Sequence, residues 1–72
     1  MTEQTPKLDV ETLEHVLFLI EKKIAYHAIR MQSYVSFGRT SAAKSTQAKI
    51  ATLCYLGSDI QKMIDEQQEV AA

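Results

Sequence analysis

Only three residues in this chain of 72 can break a helix, Pro6, Gly38 and Gly57, and their positions leave room for two long helices and little else. From Val10 to about Ser36 nothing interrupts a helix, and Gly38, directly after Phe37, is the natural left-handed residue to close it. Thr5 with Pro6 and then Asp9 offer starts. Asp9 as N-cap has Glu11 in the first turn, with Leu8 and Leu13 placed for a hydrophobic staple. Thr40 or Ser41 can cap a second helix that runs to about Gln68, before the small tail Val70-Ala71-Ala72. The expected fold is therefore all-α: an antiparallel two-helix hairpin forming one domain over residues 1–72. Helix one covers about 9–36, the tip about 37–40 and helix two about 41–68, each helix being about 40 Å long.

The apolar spacing supports that hairpin. Leu13, Leu17, Ile20, Ile24, His27, Met31 and Tyr34 follow alternating steps of four and three, the seam of coiled-coil-like packing. The matching seam of helix two is Ala43, Thr46, Ile50, Leu53, Gly57, Ile60 and Ile64, flanked by Cys54, Leu56 and Met63, with Gly57 read as permitting close helix approach. Helix one is apolar beyond this seam. Phe18, Ala25 and Ile29 lie on a second face, and Leu19 and Tyr26 on a third. A helix apolar nearly all round is a buried helix, and in a chain with so small a core the cover must come from another polypeptide. A homodimer forming a four-helix bundle is expected, with helix one central and Phe18, Leu19, Ala25, Tyr26 and Ile29 at the dimer interface.

Charge is segregated along the chain although the formal net charge is only −1. Residues 1–21 hold Glu3, Asp9, Glu11, Glu14 and Glu21 against Lys7, and residues 59–72 hold Asp59, Asp65, Glu66 and Glu69 against Lys62. Between them, residues 22–58 carry Lys22, Lys23, Arg30, Arg39, Lys44 and Lys49 and no acid. Folded as a hairpin, the chain has an acidic end at its termini and a basic half at its tip. Such segregation also arises on ordinary solvated faces.

The tip sequence GRTSAAKST, Gly38 to Thr46, resembles a phosphate-binding P-loop, but Ala43 stands where the second glycine belongs. A P-loop is also the turn between a parallel strand and a helix, whereas a helix precedes Gly38 and no acid in the basic segment is available for magnesium. A nucleoside-triphosphate site of that type is not expected. The start of helix two, with Thr40, Ser41, Ser45, Arg39 and Lys44 nearby, still has the character of an anion-attracting helix N-terminus, against which stands simple capping by the same hydroxyls.

No set of residues points to catalysis or to a metal or cofactor. His15 and His27 are separated by about 120° around a helix and share no face. His15 is expected at the surface, and His27, on the seam, is a core or interface histidine able to pair across a dimer. Cys54 reads as a small buried hydrophobe, no Glu-x-x-His pair suggests a di-iron bundle, and a lone cysteine gives no internal disulfide, which fits a reducing cytoplasm. The apolar run Val16–Ile20 is too short to cross a bilayer, and the first residues lack the pattern of a secretory signal, so a cytoplasmic, soluble protein with no membrane partner is expected.

Three functions remain. The first is a non-enzymatic regulator, adaptor or inhibitor that binds another, acidic protein through Arg30, Tyr34, Phe37, Arg39, Lys44 and Lys49, arginines and aromatic rings being common interface anchors. The second is an oligomeric binder of a phosphate-rich ligand, nucleotide or nucleic acid, through the same basic tip. A sequence pI near 6.0 weighs against nucleic acid. The third is a structural assembly unit whose oppositely charged ends drive end-to-end contacts.

Overall fold

The computed structural model describes residues 9–71, with side chains through Glu69, and consists of two helices packed against each other as a hairpin: α1, Val10–Ser36, and α2, Thr40–Ala71. The staple partner Leu8 and the alternative start at Thr5 and Pro6 lie outside the described residues. The hairpin is long and thin, 58 × 24 × 14 Å.

Each end of α1 is closed by local chemistry. The Asp9 carboxylate accepts from the Thr12 backbone N–H at 2.7 Å, and its carbonyl accepts from Leu13 N–H at 3.0 Å, so the cap read from the sequence is present. At the other end Gly38 has φ +70°. Gly38 N–H donates to the Val35 carbonyl at 3.1 Å and Arg39 N–H to the Tyr34 carbonyl at 2.8 Å. These two bonds are the 5→2 and 6→1 pair of a Schellman motif, which satisfies carbonyls that the helix end leaves free and turns the chain back within three residues.

That short turn alters the start of the second helix. It begins at Thr40, one residue earlier than expected, and Arg39 takes the cap position, its carbonyl accepting from Ala43 N–H at 3.0 Å. The hydroxyls of Thr40 and Ser41 make none of the side-chain hydrogen bonds among the described residues, so the expected side-chain cap is not formed. At its far end α2 continues to Ala71 rather than about Gln68.

Every seam residue of both helices is buried or half-buried, and only Val10, Val16, Ala42 and Gln67 join them among the described side chains. The core is nevertheless small. Leu13 is fully buried and Ile64 nearly so, and Thr46 is the buried polar residue, its hydroxyl donating to the Ala42 carbonyl at 2.9 Å. Gly57 faces Leu17 and Ile20, but a Cβ added there would sit 3.6 Å from each, in ordinary van der Waals contact. Gly57 thus lies where the helices approach, as read from the seam, but the approach does not demand glycine there. Cys54 is exposed, not buried, because the seam steps from Leu53 to Gly57 and leaves residue 54 turned about 100° away.

Candidate functional site

The hairpin places like charge beside like. With Gly57 level with Leu17 and Ile20, the acidic start of α1 lies alongside the acidic end of α2, and the cations of both helices gather toward the tip. Among the described residues, folding thus turns a sequence segment free of acids into an acid-free half of the hairpin.

Within that half, four of the six residues expected to bind a partner meet. Arg30, Tyr34, Phe37 and Arg39 line one cleft together with Ile29 and Ser33. The Schellman motif is what brings Arg39 there, since its backbone is tied to Tyr34. Phe37, the C-cap of α1, is 79 % exposed and is therefore not folded into the hairpin's own end. Arg39 also borders the pocket of Gly38, Thr40, Ser41 and Ala42 at the start of α2. Lys49 stands apart, in a groove between the helices lined by Lys23, His27, Ser45, Ala48, Thr52 and Leu53. Lys44 is exposed near the start of α2 and lines neither cleft.

A second arrangement extends down α1 from the cleft. Phe18, Lys22, Tyr26, Arg30 and Tyr34 succeed one another at four-residue spacing, alternately aromatic and cationic. Lys22 Nζ lies 5.4 Å from the Phe18 ring centre, and the Arg30 guanidinium lies 5.6 Å from the rings of both Tyr26 and Tyr34. Arg30 Nη2 also donates to Tyr34 Oη at 3.0 Å. That hydrogen bond first, and then the neighbouring tyrosine oxygens, hold the Arg30 pKa above its ordinary value. Four residues advance a helix by 40° beyond a full turn, so the ladder winds from the face turned away from α2, at Phe18, to the seam, at Tyr34. Sorting residues by helical face hides it, because the ladder crosses faces. The four-residue repeat of cation and ring is the signal that finds it.

The residues expected at a dimer interface are all exposed in the single chain: Phe18, Leu19, Ala25, Tyr26 and Ile29. Leu19 and Tyr26 line a shallow apolar hollow with the stems of Lys22 and Lys23. His15 is exposed, while His27 is half-buried on the seam with its ring 5.2 Å from that of Tyr26, edge to face at 72°. Among the described residues no group of three or more His, Cys, Asp or Glu converges, and no helix is long and apolar enough to cross a membrane. No protein family, curated protein or solved structure matches the chain.

Proposed function

We propose that this protein is a non-enzymatic regulator, adaptor or inhibitor that works as a homodimer of four helices and grips an acidic partner protein with its tip. The observation that carries this reading is the cleft of Arg30, Tyr34, Phe37 and Arg39. It combines two guanidinium groups, which bind carboxylates through a planar fork, with an aromatic side chain exposed enough to enter a partner's pocket. Tyr34 holds the Arg30 guanidinium from its hydroxyl and the Arg39 backbone through its carbonyl, so one cation and the root of the other are positioned before any partner arrives. Native mass spectrometry of the protein isolated from its source cells tests this. A partner protein at fixed stoichiometry is expected on the wild type and absent from a helical Phe37→Ala, Arg39→Glu double variant; a partner retained by that variant overturns the tip reading.

A second reading is favoured by the other groove, where Lys23 and Lys49 line one hollow between the helices. A phosphate-rich ligand would suit these cations, and binding of a labelled oligonucleotide that weakens steeply as salt is raised would support it.

A further inference from the structure

We infer that a second copy of this chain docks on the face of α1 turned away from α2, with the two α1 helices antiparallel, so that the basic tips project from opposite ends and the dimer bridges two acidic partners. The bridging rests on the tip reading above; the docking and its orientation stand on separate observations.

The face itself is a second seam. Phe18, Lys22, Ala25 and Ile29 repeat the four-three-four spacing of a coiled coil on the side of α1 opposite Leu13, Ile24 and Met31, with Leu19 and Tyr26 along one edge. Phe18, Leu19, Tyr26 and Ile29 are between 48 % and 68 % exposed in the hairpin. The outward side of α2 offers no such stripe, carrying Lys44, Gln47, Ala51, Tyr55, Ser58 and Lys62. The hairpin also needs a partner for its own stability, since Leu13 and Ile64 are the buried hydrophobic residues described.

Charge identifies the occupant and its direction. In α1 the acids Glu11, Glu14 and Glu21 all precede the cations Lys22, Lys23 and Arg30. None of the side-chain hydrogen bonds among the described residues joins a cation to a carboxylate, and the hairpin aligns like with like. A parallel copy would repeat the conflict, setting Lys22 on Lys22 and Arg30 near Arg30. An antiparallel copy relieves it toward the helix ends, setting the Glu11 and Glu14 end of one α1 beside the Arg30 end of the other.

Lys22 fixes the register. It is the one charged residue within the stripe, and a charged side chain at a seam position selects the pairing that spares it from facing itself. With the twofold axis between Lys22 and Ala25, Lys22 layers against Ala25 and Phe18 against Ile29. The Lys22 ammonium, already drawn over the Phe18 ring, then leaves the seam along its edge. In this register the two Gly38 residues stand roughly 45 Å apart along the dimer, from a rise of 1.5 Å per residue.

The experiment uses the full chain in a Cys54→Ser background, spin-labelled at Glu21→Cys in one sample and at Gln32→Cys in another, with sedimentation of both. A dimer is expected in which the Glu21 labels lie within about 20 Å of each other and the Gln32 labels about 30 Å apart. Two short distances would mean parallel helices and overturn the orientation. A monomer at about 100 μM would overturn docking of a second copy and leave the tip reading standing. A dimer with the expected distances that captures one acidic partner per two chains would overturn the bridging alone. Ile29→Glu is expected to dissociate the dimer, and a dimer that survives it would place the interface elsewhere.

Discussion

Arg39 donates its backbone N–H to the carbonyl of Tyr34 at 2.8 Å, and Tyr34 in turn accepts at its hydroxyl from Arg30 at 3.0 Å. One aromatic residue thereby holds the Arg30 guanidinium by its side chain and the Arg39 backbone by its carbonyl. The link to Arg39 is built by the turn and survives any substitution that keeps Gly38. The link to Arg30 depends on a single hydroxyl. Tyr34→Phe is accordingly expected to leave the helix content and melting temperature unchanged while shortening the residence time of a tip-bound partner, as read by surface plasmon resonance.

The two glycines should respond in opposite directions to alanine. Gly38 has a positive φ that a Cβ disfavours, so Gly38→Ala is expected to destabilise by about 1 to 2 kcal/mol. Gly57 is helical with room for a methyl group against Leu17 and Ile20, so Gly57→Ala should stabilise by up to about 1 kcal/mol. Urea unfolding followed by circular dichroism gives both signs, and a destabilising Gly57→Ala would show that the helices require the bare backbone after all.

Leu13 is the fully buried side chain of the core, and it lies one turn inside the Asp9 cap. Leu13→Ala should cost about 2 to 5 kcal/mol, enough to unfold most of the population in so slight a structure. Thermal melts read by circular dichroism check it at several protein concentrations, since assembly adds to apparent stability by mass action.

Asp9 gives a pH signature. The Thr12 backbone N–H, with a smaller side-chain contribution from the same residue, holds its pKa below the ordinary 3.8. A carboxylate with a depressed folded pKa supplies its stability above the unfolded value and loses it as pH falls through the lower, folded value. Asn caps a helix nearly as well and does not titrate. Between pH 6 and 4 the wild type and Asp9→Asn should therefore melt in parallel, and below about pH 4 the wild type should lose the more stability. Equal losses would show that the cap is not the carboxylate form.

Lys44 and Arg39 should separate kinetically. Lys44 is exposed outside the cleft and would act at a distance, so Lys44→Glu should slow association several-fold and flatten its salt dependence with dissociation unchanged. Arg39→Glu, inside the cleft, should raise the dissociation rate. Stopped-flow mixing with the partner distinguishes the two.

Much of the hairpin was legible because its determinants are local. Asp9 and Gly38 each announce a helix end by chemistry confined to four or five residues, and the seam from Leu13 to Tyr34 repeats without error. Features set by the meeting of parts were harder to read. The cap at Thr40 or Ser41 was displaced because the Schellman turn had already used Arg39. Lys49 was grouped with Arg30 on charge alone, yet α2 carries it to a different groove. The cation and ring ladder from Phe18 to Tyr34 was visible in the spacing but drifts across the faces by which helices are usually parsed.

The antiparallel course of α1 and α2 has one more consequence. Helix dipoles pointing in opposite directions cancel along the length of the hairpin. The backbone therefore contributes almost nothing to the difference between the two ends, and among the described residues the charges that set the electric moment are all exposed side chains. Because most of those side chains lie outside the seam between α1 and α2, the moment can be strengthened or weakened by substitution without repacking the hairpin's core. The hairpin is in this sense a rod whose polarity is carried apart from its core.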